Sequence, residues 1–181
     1  MQNTFRTKHF VLVTSLAVMV TLLLSAGLSY ATSAALTDDT YADATKPSKN
    51  FWNKQIILNK AKGQTGYIRF NLSSLPAGAT GADVEKATLT FFVSKVTKAG
   101  SLDVRQINAP STVIWEEGSL TFDNAASTAP IGNIIATVNV QTWMEQTFIT
   151  VDVTNLVRDW LNGASNNGIA LAPVASTDLS I

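Results

Sequence analysis

Beyond its first ten residues this chain holds neither a thiol nor an imidazole. It has no cysteine, and its single histidine is His9. Ser-His-Asp and Cys-His catalysis and zinc sites of the His/Cys type are therefore excluded from everything that follows. Acids, bases and four tryptophans remain. Asp38, Asp39 and Asp43 lie close together in the sequence. With loop carbonyls they could offer Ca²⁺ the several oxygen ligands it wants, though the spacing is not that of an EF-hand loop. Glu116 and Glu117 are adjacent, so on a strand they point to opposite faces. They make no paired-carboxylate site by themselves, because a glycosidase pair stands about 5–9 Å apart across a cleft. A hydrolase would have to set Glu116 against Asp123 or Asp159.

The tryptophans are Trp52, Trp115, Trp143 and Trp160. An indole face suits stacking on a flat apolar ligand, but a tryptophan is as readily a core residue with a partner for its N–H. Trp160 falls on an apolar stripe and is expected in the core, as is Trp115. Trp52 follows Asn50 and Phe51 in a loop and is expected to be exposed. Trp143, near a turn, reads either way. Among the bases, Arg69 and Arg105 sit on strands, facing outward by alternation. Lys46, Lys49, Lys54, Lys60 and Lys62 cluster in the first third. Scattered charges of this kind ordinarily make a solvated surface, and Arg69 has a second reading as the partner of an acid on a neighbouring strand.

The N-terminus explains two of the thirteen bases. Arg6 and Lys8 precede an apolar run from Val11 to Leu28, and small residues Ala31–Ala35 follow. That is the order of a secretory signal, with cleavage fitting after Ser33 or Ala35. A retained anchor is the other reading of so long an apolar run. Taking residues 1–35 as signal leaves 36–181, one domain with room for a sizeable core. Without Arg6 and Lys8, 11 bases face 13 acids, a net charge of about −2. Such a chain is no nucleic-acid binder, since neutralising phosphates needs basic excess. No membrane contact is expected once the signal is gone, and the destination is extracellular or the cell surface.

The elements that must position these side chains are strands. Thr40–Thr45 and Lys54–Leu58 are the first candidates, separated by the Lys46–Asn50 loop with Pro47. In Thr65–Leu72, Ile68, Phe70 and Leu72 share one face while Tyr67, Arg69 and Asn71 share the other. Val84–Val96 alternates likewise, with Ala87, Leu89, Phe91 and Val93 opposite Thr88, Thr90 and Phe92. Ser101–Asn108 follows, its pattern slipping near Ile107 as at a bulge. Thr112–Phe122, a small-residue loop over Asp123–Pro130, and strands at Ile131–Val140 and Phe148–Val153 come next. Val153, Leu156, Val157, Trp160 and Leu161 then take helical spacing, with Thr154 as cap and Gly163 as terminator. Ile169–Leu171 begins a last strand. The whole predicts an all-β protein, a jelly-roll-like β-sandwich with one short helix near the C-terminus.

This order of motifs resembles the secreted DNRLRE-domain proteins, carbohydrate-binding module family 96. The resemblance rests on Asp39-Thr40-Tyr41-Ala42-Asp43, on Gly66–Ala79 with Ala87–Phe91, on Trp115-Glu116-Glu117 with Leu120–Ala125, and on Val151–Gly163 ending in Asn167–Leu171. It covers nearly all of residues 36–181. Phe122 stands where the family usually has tryptophan. The family's serine-arginine-glutamate segment and its last strand are not found before Ile181, so an open sheet edge is expected at the C-terminus, ready for strand addition by a partner chain. The resemblance implies non-catalytic binding of a polysaccharide, with acidic, uronate-containing glycans such as alginate among the family's targets. Lys or Arg donors would meet a uronate. Trp52, Lys49, Lys54, Arg69 and Arg105 are the residues expected to carry that binding. No catalysis and no cofactor are expected beyond the Ca²⁺ considered above. The competing reading is a structural or adhesive surface module that binds no glycan.

Overall fold

A computed structural model describes residues 32–110 and 112–181 of the chain. Residues 1–31, where the bulk of the expected signal falls, lie outside the described residues. Among the described residues ten strands form two sheets. The larger contains β1 (Ala35–Asp43), β2 (Ile57–Asn59), β3 (Gln64–Asn71), β5 (Lys95–Lys98), β6 (Gly100–Ile107), β7 (Ile131–Val140), β9 (Ile169–Val174) and β10 (Asp178–Ser180). Its strands run β5-β10-β2-β3-β9-β6-β7, with β1 along the other side of β3. The smaller sheet pairs β4 (Thr88–Val93) with β8 (Thr147–Asp152). All pairings are antiparallel.

The sandwich core lies between the two sheets, as the alternation requires. Leu89, Phe91 and Val93 of β4 and Ile149 and Val151 of β8 face Leu102, Val104, Ile169 and Leu171 of the large sheet. A helix after β8, α2 (Thr154–Leu161), adds Leu156 and Trp160 to the same core. Eight residues of helix cannot hold themselves in water, so this packing is what keeps α2 folded. Asp152 accepts the Thr154 N–H at 2.8 Å at the corner. Thr154 is not the cap expected of it: it is the first helical residue, and its hydroxyl accepts the Ala87 N–H at 2.9 Å and donates to the Ala87 carbonyl at 3.3 Å. Gly163 ends the turn at φ +103°, a conformation that favours glycine.

The large sheet is buried on its outer face too. Tyr67, Ala42, Ile107 and Ala170 pack there under Ala109, Trp115, Leu120 and a helix, α1 (Phe122–Thr128), with Ala125 and the following Ala129. The expected Asp123–Pro130 loop is thus largely helix, started by a reciprocal cap in which Asn124 accepts the Thr121 N–H at 2.9 Å. The described residues hold two α-helices where the sequence predicted one. Other boundaries shift for local reasons. The long Val84–Val96 strand breaks at Ser94, where the chain leaves the small sheet and enters the large one as β5. The slip near Ile107 is real: the β6–β7 register shifts on both sides of Arg105.

The C-terminus corrects a larger expectation. Among the described residues the last segment leaves no unpaired neighbour at β2 for a partner chain to fill. Asp178–Ser180 is itself a strand, inserted between β2 and β5 and paired on both sides. Leu179 fills the core at 1% exposure.

Candidate functional site

The most exposed aromatic of the first third is presented by a pinned loop. After β1 the chain makes two tight turns, with Lys46 N–H donating to the Asp43 carbonyl and Lys49 N–H to that of Lys46, both at 3.0 Å. Asn50 then ties the loop down. Its side-chain amide donates to the carbonyls of Glu117 at 2.6 Å and Leu120 at 2.7 Å, and its Oδ1 accepts the Trp52 N–H at 3.1 Å. Phe51 turns inward and stacks on Tyr41 with ring centroids 4.3 Å apart. Lys54 N–H closes the turn onto the Phe51 carbonyl at 3.0 Å. With Phe51 buried, the next side chain is forced outward, and Trp52 is 52% exposed. Lys49 is exposed and lies over the Phe51 ring at 5.2 Å, within the range of a cation–π contact. Lys54 is exposed on the far side of Trp52 in sequence. One loop held by these bonds therefore carries the exposed Trp52 with exposed Lys49 and Lys54 three and two residues from it in sequence.

The two arginines are differently employed. Arg69 gives its Nε, at 2.9 Å, and one terminal nitrogen to a single oxygen of Asp38 on β1. Its guanidinium lies 5.6 Å from the Trp115 ring. The second reading of Arg69 is the one the geometry carries: alternation does turn it away from the sandwich core, but that face is covered. Arg105, on β6, donates to the Gly132 carbonyl at 3.0 Å and stands 3.9 Å from Asp103. It keeps about a third of its side chain exposed, two strands away from β3.

The three acids do not gather. Asp38 faces the outer side with Arg69, and its second oxygen accepts the Glu117 N–H at 3.2 Å. Burial alone would push its carboxyl up, yet the bonds from Arg69, Glu117 N–H and Thr37 together hold it below its ordinary value. Asp39 and Asp43 face the other side, four residues or about 13 Å apart along the strand. Asp43 is buried, accepting both Thr45 groups on one oxygen and the Gln64 amide at 2.7 Å on the other. Its carboxyl too sits below the usual value, because those bonds outweigh burial. Asp39 goes the other way, raised by burial and by the nearby charges of Glu117 and Asp38. Among the described residues no three acids form a set that could hold a metal ion. The Ca²⁺ arrangement expected of Asp38, Asp39 and Asp43 is not assembled, because two of them are already spent on protein donors.

Trp115 and Trp160 are core residues as expected, at 2% and 7% exposure, and the Trp115 N–H donates to the Asn167 carbonyl at 2.8 Å. Trp143 is exposed, in a short turn (Thr142–Met144) just before β8. Sequence reasoning passed over two more aromatics. Phe92 and Phe148 stand directly opposite each other on the outer face of the small sheet, rings 5.1 Å apart and edge to face, 38% and 70% exposed. Alternation grouped Phe92 with Thr88 and Thr90; what it could not supply was the register that sets Phe148 against it.

An open groove of about 890 Å³ lies where β7 passes the start of α2. Glu85, Asp152 and Asp159 line it with Lys86 and Arg158. Asp152 is held below its ordinary value by its hydrogen bonds from Thr154. That is the opposite of the raised carboxyl that a general acid requires.

No curated protein shows a match to the sequence. The family model described as carbohydrate-binding module family 96 matches residues 30–180. That span takes in every strand, both sheets, the Trp52 loop and the groove. The chain belongs to carbohydrate-binding module family 96.

Proposed function

We propose that the protein is exported, loses its N-terminal signal by cleavage after Ser33 or Ala35, and holds its surroundings to an acidic, uronate-containing polysaccharide through Trp52, Lys49 and Lys54, without catalysis. Family membership supports the polysaccharide. The choice of site is carried by one observation: Trp52 is exposed on a loop that Asn50 and Phe51 lock in place, with exposed Lys49 and Lys54 flanking it in the sequence. A pyranose ring has an apolar face of C–H bonds that the indole can cover. A ring carboxylate at its rim would meet an ammonium group, a charge-assisted contact. Because the loop is already ordered, little conformational entropy is lost on binding.

The adhesive alternative drew its support from an unpaired C-terminal edge, and β10 removes that support. Arg69 is left out of the proposed contact because Asp38 engages it, and Arg105 because its donors face Gly132 and Asp103.

Affinity gel electrophoresis against alginate, pectin, xylan and β-glucan tests the reading. The parent protein is expected to be retarded by alginate and pectin. Trp52→Ala should weaken that retardation about tenfold or more, the scale of truncating an aromatic anchor at an interface. Replacing Lys49 and Lys54 by Gln should weaken it further and flatten its salt dependence. A folded parent that migrates freely through all four glycans would refute glycan binding for these targets. N-terminal sequencing of protein recovered from the medium of a secreting host tests export: a start at Ala34 or Leu36 is expected, and an intact Met1 contradicts it.

A further inference from the structure

We infer that the outer face of the small sheet is a second glycan-binding surface, one that takes a neutral polysaccharide chain lying along β4 and β8 into the groove beside α2. The inference rests on the protein being a polysaccharide binder, as proposed above, and assigns a surface and a ligand class which that reading does not use.

Cross-strand pairs build the face step by step. Phe92 opposes Phe148, Thr90 opposes Thr150 and Thr88 opposes Asp152. Side chains on one face recur every second residue, so the aromatic pair and the Asp152 pair stand about 13 Å apart with the threonines between them. The edge-to-face contact fixes the rings relative to each other. The threonine hydroxyls lie 3.1 Å from each other, so one proton is shared and the remaining lone pairs point to solvent. Asp152 then belongs both to this row and to the groove of about 890 Å³, which continues past it along Gln106, Asn133 and Asn155. The surface is thus continuous: flat apolar rings, then hydroxyls, then a trough of amides.

That sequence of chemistries matches a polysaccharide better than a protein or a lipid. A sugar chain presents apolar ring faces and hydroxyl edges in alternation along one direction. A protein hot spot sits near the centre of a patch that excludes water, and here the ring pair lies toward one end of a row of hydroxyls and an acid. The ligand's charge follows from the lining. Glu85, Asp152 and Asp159 stand against Lys86 and Arg158, and Arg158 turns its donors to the carbonyl of Val84 at 2.9 and 2.7 Å. Asp152 is ionised at neutral pH. A uronate chain would be repelled, while a neutral glycan can give its hydroxyl protons to these carboxylates. The Trp52 loop, rich in lysine, has the opposite preference.

The test is affinity gel electrophoresis and calorimetry of the purified full chain on xylan and β-glucan, alongside alginate, with sedimentation velocity on every variant. The double variant Phe92→Ala/Phe148→Ala is expected to bind the neutral glycan about tenfold or more weakly. Phe148→Tyr, which keeps the ring, should retain binding and so separates loss of stacking from loss of fold. Retardation of the parent by alginate with none by neutral glycans overturns this inference and leaves the proposed function standing. Retardation by neither class overturns both. Neutral-glycan binding that survives the double alanine variant also overturns it. So does a parent that sediments as a dimer which the double variant dissolves, since the face would then belong to a second copy of the chain.

Discussion

A chain ending at Ser176 is expected to lose its cooperative thermal transition altogether, although only five residues are removed. β10 is the shared partner of two strands. Leu179 opposes Leu58 of β2 on one side and Val96 of β5 on the other. Among the described residues β5 has no other strand partner, so losing β10 strands it. The flanking bonds go as well: Ser94 N–H to the Ser180 carbonyl at 2.9 Å, Ile181 N–H to that of Ile56 at 3.0 Å, and Lys60 N–H to that of Thr177 at 3.0 Å. Thr177 is 1% exposed and packs over Gly100, where any Cβ would lie 2.2 Å from its hydroxyl. Emptying the Leu179 position alone should cost about 2–5 kcal/mol. Against a whole-domain stability of about 5–15 kcal/mol, adding the lost ladder and the exposed edges of β2 and β5 leaves nothing to hold the fold. Leu179→Ala is therefore expected to melt cooperatively at a clearly lower temperature, and the truncated chain to show no melt and rapid proteolysis. Circular dichroism melts and limited proteolysis read both. A truncated chain melting within a few degrees of the parent would show that β10 is dispensable.

That strand also shows where the sequence stops being readable. Ser176-Thr177-Asp178-Leu179-Ser180 carries one apolar residue. A three-residue strand is shorter than the window in which alternation can register. The longer strands were legible because one of their faces is wet. In β4 and β8 the buried and exposed residues alternate without a break, as read from sequence. β3 misleads for the converse reason. Ile68 and Tyr67 are both buried, at 6% and 4% exposure, because the large sheet is covered on both faces. Arg69 was read as outward, and it is, but into a layer made by Trp115 and its neighbours. That layer could not be foreseen because its helix announces itself poorly. α1 buries Ala125 alone, beside Ala129 just past its end, and alanines among Asp, Asn, Ser and Thr give almost no apolar stripe. Trp52 was legible for a local reason, its polar neighbours and the turn around it. The Phe92–Phe148 pair was not, because the register joining residues so far apart in sequence is a tertiary fact.

Removing the cation beneath that hidden layer tests how much it holds. Arg69→Ala is expected to destabilise the protein by about 3–5 kcal/mol at neutral pH, the usual consequence of stranding one member of a buried ion pair. The side chains of Arg69 and Asp38 are only 20% and 8% exposed. The loss also uncovers one face of Trp115. Arg69→Lys should recover part of the deficit, since an ammonium keeps the charge but not the planar fork and its stacking. The dependence on pH identifies the cause. With Arg69 present, the folded Asp38 carboxyl lies below its unfolded value of about 3.9. Its contribution is complete above that value and is lost as the pH falls through the folded one. Asp43, also held low, behaves in the same way. Asp39 opposes them: its folded carboxyl is raised, so it takes up a proton more readily in the folded state and softens the loss on acidification. Without Arg69, burial dominates at Asp38 and its carboxyl moves upward. Protonation then relieves the stranded charge, and the gap between parent and variant should narrow as the pH falls below about 4. Urea titrations at neutral and acidic pH measure that gap. A deficit of equal size at both would mean that Arg69 acts through its packing on Trp115 and not through its charge on Asp38.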